Sequence, residues 1–165
     1  MKYEDISVDL EQIDSREKLQ AEISRLESLV AQGSGKACFE LSGFGEGINL
    51  PDTITKGLLL SEERQLELVI QGYPLLMQEA EQGDGEAMAL IAIYYQAGWP
   101  PVECDMQKFY EWHEKAFAAG QRSSAIELYY HYAAPASFNA ERAEFYRKAC
   151  LEVGHDPDFV PDAGD

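Results

Sequence analysis

Between Gly83 and Gly120 the apolar residues recur at helical spacing on either side of a short break. Ala87, Ile91 and Tyr95 stand four apart and stack on one side of a helix, with the small Ala92 beside them. Gly98 ends that run. After the turn at Pro100 and Pro101, Asp105 is placed to cap a second helix, whose Phe109, Trp112 and Ala116 recur at i, i+3 and i+7. Neither helix hides its stripe alone. The two are therefore expected to pack antiparallel, as a hairpin that needs neighbours above and below.

The same phase returns along the chain. The offsets that lead from Gly83 to Ala87, Ile91, Ala92 and Tyr95 lead from Gly120 to Ser124, Leu128, Tyr129 and Tyr132, and from Gly33 to Ala37, Leu41 and Ser42. Gly33, Gly83, Gly120 and Gly154 then read as joints between hairpins, where the residue closing a helix needs a positive φ. Their spacings are 50, 37 and 34 residues. The first unit is longer because it carries an irregular insert, residues 43–60, in which Gly45, Gly47 and Pro51 forbid a continuous helix.

Seven helices are predicted. The first covers about Ser15 to Gln32, with Asp14 or Ser15 as cap and Leu19, Ile23, Leu26 and Leu29 or Val30 as its stripe. A short one follows over Ser34 to Ser42. After the insert, Ser61 opens a helix with Glu62 and Glu63 in its first turn, which Gly72 and Pro74 should kink or break. The paired helices of 84–120 and 121–154 complete the set, and His155 to Asp165 form a tail with Pro157 and Pro161. The expected fold is all-α, an α/α superhelix in a single helical-repeat domain spanning residues 1–165.

The run Gly83, Ala87, Ile91, Ala92, Tyr95, Gly98, Val102, Asp105, Lys108, Trp112, Lys115, Ala116, Gly120 closely resembles a Sel-one-like repeat, a relative of the tetratricopeptide repeats. The resemblance implies a stack of helix hairpins that binds other proteins. Unit 121–154 matches in its first helix, while Arg142, Ala143, Phe145, Tyr146, Lys148 and Ala149 fit the second in two registers. Unit 34–83 is recognisable by phase alone, since Gly72 and Leu75 stand where Phe109 and Trp112 would be.

With 165 residues, 45% of them apolar and 11% aromatic, the chain is long enough to bury roughly 70% of its unfolded surface without staples. Cys38, Cys104 and Cys150 form an odd set with no CxxC and no zinc spacing, so buried reduced thiols are expected. Met1 to Glu11 holds Glu4, Asp5, Asp9 and Glu11 where a signal peptide needs an apolar run, and no stretch approaches the length of a membrane span. A cytoplasmic location is expected. No cofactor or metal is implied: Asp156, Asp158, Asp162 and Asp165 lack the glycine and final glutamate of a calcium loop.

Charge changes the picture further. Thirty acidic against 13 basic residues leave a net charge of −17, which opposes nucleic acid and anionic lipid and favours a cationic protein. In residues 61–90, Glu62, Glu63, Glu67, Glu79, Glu81, Asp84 and Glu86 face only Arg64. That acidity serves either solubility or electrostatic complementarity to a basic partner. On helical wheels, Phe39, Ile93, Ile126 and Tyr130 point away from the packed sides and form a candidate apolar strip within an acidic rim of Glu79, Glu81, Asp84 and Glu86. Two alternatives stay open. Ile6, Val8 and Leu10, or Phe159 and Val160, fill that strip, and Trp99 in its Gly-Trp-Pro-Pro turn is either an exposed anchor or a staple between turns. Trp112 is assigned to the core.

Catalysis is not expected. His113, His131 and His155 share no motif, and no nucleophile elbow, phosphate loop or HExxH is present. Two functions follow from the resemblance and the charge. One is an immunity protein that inhibits a basic antibacterial toxin such as a nuclease; the other is an adaptor that joins proteins without blocking them.

Overall fold

A computed structural model describes residues 5–159. Among them the regular elements are all helical: α1 Arg16–Ala31, α2 Gly35–Ser42, α3 Asp52–Thr55, α4 Glu62–Glu81, α5 Gly85–Ala97, α6 Met106–Ala118, α7 Ala125–Ala133 and α8 Ala140–Glu152, with 3-10 turns at Leu10–Gln12 and Arg122–Ser124. The protein is all-α. The seven predicted helices are present, and the eighth, α3, is a single turn inside the insert.

Local chemistry sets the helix limits. Ser15, Ser34, Ser61, Asp84, Asp105 and Asn139 each accept a backbone N–H of the helix they open. At the far ends, Gly33, Gly83, Gly120 and Gly154 adopt φ of 84°, 90°, 100° and 78°. Each sits in the same pair of bonds: Gly33 N–H to Val30 O with Ser34 N–H to Leu29 O, and likewise from Gly83 and Asp84, Gly120 and Gln121, Gly154 and His155. Four copies of one closing motif are the structural counterpart of the four glycine joints.

α4 runs unbroken through Gly72 and Pro74, against expectation. Pro74 is exposed, so the Ile70 carbonyl it leaves without an N–H can turn to water, and Gly72 is buried where a close approach favours the absence of a side chain.

Apart from the single turn α3, which meets α1, each helix packs chiefly on the next long helix in the chain: α2 on α4, α5 on α6 and α7 on α8, with α1 on α2, α4 on α5 and α6 on α7 joining the pairs. The interior divides accordingly into three apolar clusters. The first joins Ile6 to α1, α2 and Leu68, the second centres on Leu76, Ile91 and Tyr94, and the third on Leu128, Tyr146 and Cys150. The insert folds back onto the first cluster through buried Phe44, whose carbonyl accepts Leu60 N–H at 2.9 Å. Arg16 Nη1 fastens it to α1 by bonding Lys56 O at 2.6 Å.

Several residues sit otherwise than expected. Tyr94 is fully buried and Tyr95 only half-buried, because the stripe of α5 continues from Ile91 by three residues instead of four. Trp112 is half-buried, with Lys115 Nζ 4.0 Å from its ring centre, and His113 joins Phe109 and Ala116 on the buried side of α6. Cys38 and Cys150 are buried free thiols, but Cys104 is exposed, in the loop after Gly98.

Candidate functional site

Gly98, at φ 66°, ends α5 in the left-handed region and turns Trp99 back over the helix. The Trp99 ring meets Tyr94 edge-on at 5.6 Å and Phe39 of α2 at 5.9 Å. Tyr94 is the platform beneath. Its hydroxyl donates to Val69 O at 2.8 Å, and burial holds the phenol protonated far above its ordinary range.

Around Phe39 and Trp99 opens a cavity of about 560 Å³, walled by α4 through Leu66 and Val69 and by the N-terminal segment through Val8 and Leu10. That segment is anchored. Ile6 is fully buried, Val8 N–H donates to Glu40 Oε1 at 2.7 Å, and Arg25 Nη2 donates to Ile6 O at 2.8 Å. Leu66 is 48% exposed, so the mouth is open to solvent beside it. Glu62, one turn before Leu66 on the same face of α4, and Glu63 and Glu67 are exposed.

The residues of the predicted strip are not brought together in this cavity. Of the four, only Phe39 lines it, beside Trp99; Ile93, Ile126 and Tyr130 do not. Ile93 packs against the second cluster and Ile126 against the third. Tyr130 is half-exposed, and its hydroxyl lies 3.1 Å from His155 Nε2. Of the chain segments weighed as covers, Ile6 enters the core, Val8 and Leu10 form a wall, Phe159 is exposed, and Val160 lies outside the described residues, as do Asp162 and Asp165.

The predicted acidic rim has a second occupation. Lys36, at 2% exposure, places Nζ 2.5 Å from Asp84 Oδ2 and 3.0 Å from Glu86 Oε2. Burial works against the charged amine, but the two carboxylates outweigh it and raise its pKa; burial likewise works against ionised Asp84, whose pKa Lys36 and the N–H of Ala87 hold below the ordinary value. Glu79 Oε1 accepts Gly35 N–H at 2.9 Å, and burial raises the pKa of its carboxyl. Three of the four acids thus tie α2 to the α4–α5 joint, and Glu81 alone is exposed.

Sequence reasoning named Val8 and Leu10 as covers of the strip but missed Leu66 and Val69 as walls of the cavity. The only signal was Leu66, an apolar residue on the charged first half of α4. Among the described residues no helix is long and apolar enough to cross a membrane, and no group of three or more His, Cys, Asp or Glu is placed to hold a metal ion. No protein-family model matches the chain, and comparison with curated proteins gives no match.

Proposed function

We propose that the protein is a non-catalytic protein-binding module, a cytoplasmic immunity protein that binds and inhibits a basic antibacterial toxin such as a nuclease. The observation that carries this is an open apolar cavity, floored by Phe39 and Trp99, on a chain of net charge −17. An apolar anchor of the partner fits between Leu66 and Trp99, while Glu62, Glu63 and Glu67 attract cationic side chains around it. Long-range attraction of this sign speeds encounter, and an acidic surface that occupies the place of a polyanionic substrate blocks a nuclease by exclusion. The Sel-one-like resemblance of 83–120 supports the same reading at the level of fold.

The test begins with the product of the adjacent gene or with a protein captured from the source cell. The pair should form one to one, with an association rate that falls steeply as salt rises, and co-expression should rescue cells from that protein. Leu66→Asp should weaken binding by about a hundredfold, the loss of one buried anchor, with the helical circular dichroism unchanged. Binding without inhibition or rescue would make the chain an adaptor. Unaltered affinity in Leu66→Asp and Trp99→Ala would remove the cavity from the interface.

A further inference from the structure

α6 and α7 meet along a boundary where carboxylates and aromatic rings are mixed. A cavity of about 350 Å³ opens there, to which α6 brings Met106, Tyr110, Glu111 and Glu114 and α7 brings His131 and Tyr132. Tyr110 and Glu111 stand four and three positions before Glu114, so all three fall on one side of α6. Across the boundary the Tyr110 ring stacks on His131, centres 3.7 Å apart, and His131 meets Tyr132 at 4.7 Å. The volume lies at the lower end of the range of ligand cavities, about 300–1,000 Å³, and suits one small group.

The charges around this space are unequal. Glu111 and Glu114 line it, and no described lysine or arginine does. The two lysines of α6 are turned elsewhere: Lys108 Nζ lies 5.1 Å from the Tyr95 ring centre and Lys115 Nζ 4.0 Å from that of Trp112. Burial, the largest influence on His131, lowers its pKa from 6.5 against the pull of Glu114, so the ring is uncharged at neutral pH. Glu111 Oε1 accepts Gln107 Nε2 at 2.9 Å, while Glu114 Oε1 accepts both the Tyr132 hydroxyl and Arg142 Nη1, the latter at 2.6 Å. Oε2 of each carboxylate has no hydrogen-bond donor among the described residues.

Arg142 of α8 shows what this chemistry holds. Half-exposed and outside the cavity lining, it bonds Glu114 and sets its guanidinium carbon 4.8 Å from the Tyr132 ring centre. A planar cation is thus already paired with a carboxylate and a tyrosine ring at this boundary, and Glu111 with Tyr110 repeats that combination one turn earlier on α6. Against two carboxylates, Arg142 leaves one negative charge unanswered.

We propose that the cavity takes the guanidinium of an arginine side chain from a partner protein. Its N–H groups donate to Oε2 of Glu111 and of Glu114, its plane packs against Tyr110, and its methylenes run over Met106, which is 42% exposed. Arginine suits the cavity better than lysine, because a planar fork can serve two carboxylates and a ring at once. A free amino acid brings its own carboxylate, which Glu111 and Glu114 repel, whereas an arginine within a chain brings none. That the arginine belongs to a protein rests on the binding function proposed above; that the cavity takes a guanidinium does not.

The probe is N-acetyl-arginine N-methylamide, titrated at low salt into the full chain with isotope-labelled methionine methyl groups, and the Met106 methyl signal is the readout. A dissociation constant of about 1 mM is expected. Glu111→Gln and, separately, Glu114→Gln should each weaken binding at least about fivefold, and Tyr110→Leu about threefold, with the helical circular dichroism unchanged. Arg142→Gln, which releases Glu114, should tighten binding about threefold. Capped lysine and free arginine should bind more weakly, and capped citrulline, uncharged but of the same shape, should not bind. An unmoved Met106 signal up to about 20 mM probe, capped citrulline or capped lysine binding as well as capped arginine, undiminished binding in both glutamate variants, or weaker binding in Arg142→Gln would each overturn the guanidinium site. Free arginine binding more tightly than the capped form would overturn the assignment to a protein side chain. The effect of Leu66→Asp on the native partner bears on the Phe39–Trp99 cavity alone, so the two proposals fail separately.

Discussion

His113 shows how a single buried residue sets a pH limit on the fold. It is 7% exposed on α6, its Nδ1 lies 3.1 Å from Ser124 Oγ, and burial lowers its pKa from 6.5 to about 4. The folded protein therefore keeps the ring neutral where the unfolded chain already takes a proton. The unfolded state binds more protons between pH 6.5 and about 4, so stability falls as pH drops through that window and levels off below it. The loss attributable to this ring is about 3 kcal/mol. Urea titrations of the wild type and His113→Gln across pH 7 to 4 measure it: the variant should lose less stability than the wild type over the same interval. Equal slopes would mean that His113 titrates normally. At this scale the sequence misled where partners matter. Asp84, Glu86 and Glu79 read as surface charge by count, yet Lys36 and the Gly35 amide engage them, and those contacts come from residues 44 to 50 positions away in the chain.

α4 poses the question of propensity against packing. Gly72 lies inside a helix of 20 residues, where alanine in isolation is better by about 1 kcal/mol. A Cβ there, however, would stand 2.9 Å from Cys38 Cβ and 3.0 Å from the Tyr94 hydroxyl. Overfilling of this kind costs about 1–3 kcal/mol, and Tyr94 cannot withdraw without giving up its bond to Val69 O. Packing should win. Gly72→Ala is expected to lower the urea midpoint with no change in m-value, and a raised midpoint would show that α2, α4 and α5 stand farther apart than described. The helix limits themselves were legible, since caps and closing glycines act over five residues or fewer. The unbroken course of α4 was not, because it depends on Gly72 meeting α2 and α5 and on Pro74 facing water.

For the molecule as a whole, the net charge of −17 opposes compactness as well as self-association. Several acids are engaged in ion pairs, but the excess is unscreened at low ionic strength. Raising sodium chloride from about 20 to about 300 mM brings the Debye length below about 10 Å and damps that repulsion. The thermal midpoint should rise by about 3 °C, equivalent to about 1 kcal/mol for a chain of this size. A midpoint that falls with salt would show that the ion pairs, such as Lys36 with Asp84 and Glu86, outweigh the repulsion. Among the described residues, three apolar clusters, rather than one, follow from helices that meet chiefly their neighbours in the chain.

By itself, the sequence determined the helical class, the seven main helices with the caps Ser15, Ser61 and Asp105, and the four glycines that end helices with a positive φ. Those features depend on periodicity and on hydrogen bonds between residues at most five apart. Only tertiary structure decided which outward residues form a cavity and which carboxylates remain at the surface. These outcomes depend on contacts such as Val8 with Glu40 and Gly35 with Glu79, 32 and 44 residues apart in the chain. A periodic pattern records which side of a helix is apolar, and the neighbour that meets that side comes from elsewhere in the chain.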